Sequence, residues 1–127
     1  MDTQQTATEP TSETPGQTEF VILYSTFPAT DAGRDAADVI ARHLLEARLI
    51  ACANIFAPMT SLYRWQGKIE SDTEFGVFFK TRRSLVSAAI DAAKARHPYT
   101  LPCFLTLPVE GDTGYLDWLK AETAAIG

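Results

Sequence analysis

The sequence predicts an α+β fold in the order βαββαβ with a short helix at the C-terminus, on three observations. Apolar runs of strand character alternate with stretches whose apolar residues recur at three-and-four spacing. A Gln66-Gly67 pair divides two long strand-like segments and reads as the turn of a hairpin. Proline marks most of the remaining junctions, at Pro28, Pro58, Pro98 and Pro108. At 127 residues, with 46% hydrophobic and 21% charged side chains, the chain is long enough for one buried core and too short for a second of useful size.

Residues 1–18 hold almost no apolar side chains, so they are expected to form a flexible tail, with a single domain over 19–127. Phe20 to Thr26 is a near-continuous apolar run rich in β-formers, which predicts a central strand covered on both faces and ended by Phe27-Pro28-Ala29. Thr30 or Asp31 can cap the following helix, whose predicted buried stripe is Ala32, Ala36, Val39, Ile40, Leu44 and Ala47. A second strand, Leu49 to Phe56, is broken near Pro58, where a ladder donor is missing. Ser61 to Trp65 and Lys68 to Lys80 then form the hairpin, and its far strand outruns the usual five or six residues. Ser84 is the expected cap of a second helix with Leu85, Ala88, Ala89, Ala92 and Ala95 inward, halted by Pro98. A last strand is predicted from Leu101 to Leu107, and Asp112 or Thr113 opens a helix bearing Tyr115, Leu116, Trp118 and Leu119.

Split βαβ units in this order make a ferredoxin-like sandwich, with two helices on one face of an antiparallel sheet. The other face is left bare, and the hairpin carries exposed strand edges, so self-association is expected from pattern alone.

Composition excludes several functions. A net charge of -5 argues against a nucleic-acid partner, and the one adjacent basic pair, Arg82-Arg83, is expected to be a solvated helix start. No apolar run is long enough for membrane insertion, and no secretory h-region precedes the domain. A cytoplasmic, reducing setting is therefore expected, with Cys52 and Cys103 as free thiols. Phosphate loops, zinc-protease motifs, C-x-x-C pairs and nucleophile elbows are all missing, which weighs against an enzyme.

Among the remaining polar residues, His97 precedes Pro98-Tyr99 at a helix end, where the dipole favours the imidazolium; it reads as a helix-capping ring or as a site residue. Cys103 lies six positions on and is expected to face the same place, a thiol and an imidazole that suit copper or zinc without closing a site by themselves. His43 and Cys52 read as packed residues, and Asn54 as a partner of the bend or of a polar cleft. Lys80 either snorkels at the sheet end or makes an anion site. Alternation puts Glu70, Asp72 and Glu74 on one strand face, expected to be a solvated edge.

Taken together, A-C-A-N at 51–54, S-L-Y-R-W-Q-G-K-I-E at 61–70, K-T at 80–81, H-P-Y at 97–99 and Y-L-D-W-L at 115–119 resemble the CutA divalent-cation tolerance family from about Phe20 to Ala121. The resemblance implies a ferredoxin-like subunit and a homotrimer, similar to the PII signalling proteins, clasped by a hairpin marked here by Tyr63, Trp65, Gly67 and Glu70. It also implies intersubunit clefts lined by Cys52, Asn54, Trp65, Lys80, His97 and Tyr99. Some members are thought to bind copper through a cysteine closing the first strand and a histidine pair before the P-Y. This chain has Ser25 and Arg96-His97 at those places, and Cys103 where a glutamate is usual, so only His97 carries over and metal preference should move toward copper(I) or zinc. The expected function is a non-catalytic metal-tolerance trimer that holds copper or another divalent metal near His97 and Cys103, with no metal needed for the fold. The alternative is a sensor of the PII kind that holds a small anionic ligand through Lys80 and His97.

Overall fold

One antiparallel sheet of five strands carries the architecture of the computed structural model, which describes residues 18–125. The expected N-terminal tail, apart from Thr18, lies outside the described residues. Strand β1 (Phe20–Pro28) is central, paired with β4 (Lys68–Arg82) on one side and β5 (Leu105–Val109) on the other. Strands β2 (Cys52–Ile55) and β3 (Met59–Trp65) pair in succession with β4, as one strand interrupted around Pro58. The order β2-β4-β1-β5, with helices α1 (Asp31–Glu46) and α2 (Val86–Lys94) on one face, is the α+β ferredoxin-like arrangement the pattern predicts.

Strand alternation divides the two faces. Val21, Leu23, Ser25 and Phe27 of β1 are buried, and Leu23 and Phe27 pack with Val77, Phe79, Ala37, Ile40, Leu44, Ala89 and Ala93 into the core. Ile22 and Tyr24, on the other face, are only half-buried, which corrects the expectation of a strand covered on both sides. Cover on that side comes from α3 (Thr113–Glu122), which buries Leu119 and packs on β4 while leaving Leu105 and Leu107 of β5 exposed.

Three local predictions shift in phase, each for an identifiable reason. The buried stripe of α1 is Gly33, Ala37, Ile40, Ala41 and Leu44, whereas Ala32, Val39 and Ala47 face outward. Gly33 sets this azimuth, because a Cβ there would stand 1.9 Å from the Pro28 carbonyl oxygen, so helix and strand meet at bare backbone. Thr30 supplies the cap, its hydroxyl accepting the Gly33 N–H at 2.9 Å. Helix α2 begins only after a 3-10 turn, Arg83–Leu85, so Ser84 is exposed and caps nothing, and Ala89 and Ala93 point inward. Strand β5 starts four residues later than predicted and contains Pro108, which is admitted because β5 is an edge strand bonded to β1 alone.

The adjacent arginines are clasps rather than a solvated pair. Arg82 donates to the Thr123 hydroxyl and carbonyl, both at 3.0 Å, and Arg83 donates to the Thr18 carbonyl at 3.0 Å. They tie both ends of the described chain to the end of β4.

The hairpin outruns the sheet as its length predicts. Strand β1 reaches β4 only from Glu74 onward, and just past it the Ala29 N–H donates to the Thr73 carbonyl at 3.0 Å, so Lys68 to Asp72 pairs with β3 alone and projects roughly 17 Å. At the tip, Gln66 and Gly67 both have positive φ, 49° and 81°, the backbone of a two-residue turn whose twist matches the strands.

Candidate functional site

At the root of the arm, on the sheet face away from α1 and α2, lies a cleft of about 480 Å³. Register builds three of its walls. Ser61 opposite Asp72, and Tyr63 opposite Glu70, put Ser61, Tyr63 and Trp65 on the same face as Asp72 and Glu74. Tyr24 and Thr26 of β1 form the floor, and the loop after α2 closes the side with Tyr99, Thr100, Leu101 and Cys103. Two carboxylates and four aromatic rings line the space, and no lysine, arginine or histidine does.

Both carboxylates are held by phenols. Tyr99 donates its hydroxyl to Glu74 at 2.8 Å, and Tyr63 donates to Asp72. The hydrogen bond to Asp72 is the main reason the Tyr63 pKa is pushed up to about 12. Burial, then the bond to Glu74, raises that of Tyr99. Burial, reinforced by Glu74, also raises the Cys103 thiol, which favours the neutral thiol in the cleft.

His97 stands behind this wall rather than in it. Its ring stacks on Phe27 at 4.3 Å and lies 5.2 Å from the Tyr99 ring and 5.8 Å from that of Phe104. Nδ1 accepts the Tyr99 backbone N–H at 3.1 Å, and Nε2 donates to the Thr26 carbonyl at 3.0 Å, with the Ser25 hydroxyl at 3.4 Å. Those two partners fix the Nε2–H tautomer and leave no free lone pair for a metal. The expectation that the helix dipole favours the imidazolium is corrected: α2 ends at Lys94, and burial lowers the His97 pKa more than Thr26 and Glu74 raise it.

The remaining expected cleft residues fall elsewhere on the same sheet face. Cys52 pairs with Lys80 and Asn54 with Phe78, one aromatic row away from the cleft, where Tyr24 meets Phe78 edge-on at 6.0 Å. The Cys52 thiol is half-buried rather than enclosed, 3.8 Å from the Asn54 side-chain oxygen, and the Asn54 amide is exposed. Lys80 reaches under α3, with Nζ 3.4 Å from the Tyr115 hydroxyl and 5.4 Å from its ring centre. One chain thus gathers Trp65, Tyr99 and Cys103 at the cleft, sets Cys52, Asn54 and Lys80 apart, and uses His97 to position Tyr99. Gly67 is at the arm tip and Glu70 is half-buried below it, neither lining the cleft. His43 sits half-buried in the last turn of α1. Among the described residues no three His, Cys, Asp or Glu side chains converge as a metal-holding group.

Sequence reasoning missed Tyr24, Thr26, Ser61, Asp72 and Glu74 as lining residues. The signal was present in part: alternation placed the acidic residues on one face, and a hairpin register counted from Gln66-Gly67 puts Tyr63 and Trp65 beside them.

Comparisons with known proteins agree with the fold. A family model described as CutA1 divalent ion tolerance protein matches residues 21–122. A divalent-cation tolerance protein CutA of Archaeoglobus fulgidus is 43% identical over 98 residues, covering 76% of this chain and 91% of that protein. One of the same description from Thermus thermophilus is 42% identical over 106 residues, covering 83% and 98%. Among solved structures, CutA of Xylella fastidiosa superposes with a TM-score of 0.77 at 36% identity, covering 84% of this chain and all of that one. A periplasmic divalent cation tolerance protein CutA of A. fulgidus gives 0.76 at 39%, covering 83% and 99%.

Proposed function

Because this chain belongs to the CutA1 divalent ion tolerance family, we propose that it is a non-catalytic metal-tolerance protein that works as a homotrimer and takes copper or another divalent ion as cargo. The observation that supports assembly is the uncovered sheet face together with the projecting arm. Leu62 and Ile69 of the arm are 73% and 75% exposed, and Phe56, Leu105 and Leu107 are exposed around the open face. Apolar surface of that extent on so small a domain is stabilised by pairing with further copies, and the free edges of the arm offer the backbone hydrogen bonds to do it.

Donor chemistry decides how an ion would be held. With both His97 nitrogens engaged and no three-donor group among the described residues of one chain, a closed site needs donors from more than one subunit. Cys103 is the soft donor that faces a cleft, which favours copper(I) or zinc, and its raised pKa means that binding releases a proton. A cytoplasmic setting suits two thiols that stand unpaired. The test is native mass spectrometry of the intact protein with copper and zinc: a trimer carrying metal is expected, with metal lost in Cys103→Ser. A monomer, or unchanged loading in Cys103→Ser, refutes the reading.

The second reading, a trimer that senses a small anionic ligand, draws on Lys80, a half-buried cation beside Tyr115 on the open face. Anion-induced thermal stabilisation that disappears in Lys80→Ala would favour it.

A further inference from the structure

Covering the open sheet face, as the proposed trimer does, creates an electrostatic demand that one chain does not meet. Asp72 and Glu74 line the cleft at the root of the arm, Asp72 exposed and Glu74 half-buried, and each accepts a hydrogen bond from one tyrosine hydroxyl. No basic side chain lines the same space. A neighbouring subunit laid over it strips water from both carboxylates, and carboxylates buried without a countercharge oppose association. Among the described residues, the basic side chains with no hydrogen bond, ion pair or aromatic partner are Arg64, Lys68, Lys94 and Arg96. Lys94 and Arg96 stand at the end of α2, which packs on the opposite face of the sheet. Lys68 lies opposite Trp65, on the cleft face of its own arm. Arg64 is on the reverse face, opposite Ile69 and two residues from Leu62, where its own cleft is out of reach.

We propose that the cleft of each subunit receives the reverse face of a neighbour's arm, with the partner subunit's Arg64 set between Asp72 and Glu74. The inference rests on the trimer reading above and names the contact that holds it. The two surfaces match in charge and in apolarity. On the arm, a guanidinium is flanked by the exposed Leu62 and Ile69. On the receiving side, two carboxylates and the rings of Tyr63, Trp65 and Tyr99 border the exposed Leu101, with Leu105 and Leu107 on the adjoining open face. Arginine suits such a socket, since it pairs with carboxylates and stacks on aromatic faces at once. Arm and cleft are different surfaces, so the contact is heterologous, the kind that closes a ring. One guanidinium against two carboxylates leaves the cleft net negative, which is compatible with a cation on the Cys103 thiol.

Subunit exchange tests this: isotope-labelled and unlabelled full-length protein are mixed in EDTA, and mixed trimers are followed by native mass spectrometry. Arg64→Met, at an exposed position outside the core, should exchange at least about tenfold faster than the parent, because it leaves both carboxylates covered and unpaired. Arg64→Lys, which keeps the charge, should fall between the two. The decisive variant adds Asp72→Asn and Glu74→Gln to Arg64→Met: with the stranded charges gone, exchange should slow again by about threefold or more relative to Arg64→Met alone. A parent protein that is monomeric overturns the trimer reading and this contact with it. A trimeric parent whose exchange is unchanged in Arg64→Met, or a triple variant that exchanges faster than Arg64→Met, overturns the contact and leaves the trimer standing.

Discussion

Replacing Gly33 by alanine sets two opposed effects against each other at one position. Helix propensity alone predicts a gain of about 1 kcal/mol, since alanine is the best and glycine among the poorest helix formers. Packing predicts the reverse. The new Cβ would stand 1.9 Å from the Pro28 carbonyl oxygen, 2.8 Å from its carbon and 2.9 Å from Pro28 Cγ. Restoring even a tight 3.0 Å contact demands that helix and strand separate by 3.0 − 1.9 = 1.1 Å at this point. Two of those atoms are backbone, so no rotamer change relieves the clash. The stripe below, Ala37, Ile40 and Leu44, is essentially fully buried, and a gap of that size forfeits a quarter to a half of each dispersion contact. The overpacking penalty, set against the propensity gain, leaves a net loss of about 2 kcal/mol. Urea unfolding at fixed protein concentration measures it, since association shifts the apparent stability. Gly111→Ala is the control, because a Cβ there meets nothing within 4 Å and should be neutral or stabilising by about 0.5 kcal/mol. A Gly33→Ala protein as stable as the parent, or more stable, would refute the packing account of the α1 azimuth.

His97 gives a pH dependence of defined sign. Burial lowers its folded pKa, so as pH falls the unfolded chain, with a histidine near 6.5, takes up the proton first. Its contribution is whole above pH 6.5 and is lost as pH drops from there through the lower folded value; urea midpoints across that window should flatten in His97→Phe, which keeps a ring on Phe27. Gln66→Asn should stabilise the arm by roughly 0.5 kcal/mol, because asparagine tolerates the positive φ of 49° better than glutamine, and an unchanged midpoint in thermal unfolding would count against the turn assignment. In a spectrophotometric titration, one tyrosine should ionise at about 12 and move toward its ordinary value of 10.0 in Asp72→Asn; a titration curve the same in both proteins would place the Tyr63 hydroxyl elsewhere.

Element order and type were legible because they depend on local chemistry. Apolar period, the Gln66-Gly67 pair, the hydroxyl of Thr30 and the carboxylate of Asp112 act within a few residues of themselves, and each appears where the sequence puts it. What failed was phase. The inward face of α1 is set by contact between Gly33 and Pro28, the start of α2 by a 3-10 turn, and the place of Pro108 by which strand lies at the sheet edge. None of these is a property of the segment alone.

The candidate site divides along the same line. By itself the sequence determined the family, the arm, the bare sheet face, and Trp65, Tyr99 and Cys103 as residues to watch, because motif and composition carry that information directly. Tertiary structure decided what those residues do. Only the fold brings Thr26 and Phe27 against His97, which spends both its nitrogens and keeps the ring neutral, and only strand register turns Asp72 and Glu74 from a solvated edge into the acidic wall of an aromatic cleft. A titratable group takes its character from what surrounds it, and here the surroundings come from strands some seventy residues away in the chain, as the separation of His97 from Thr26 records.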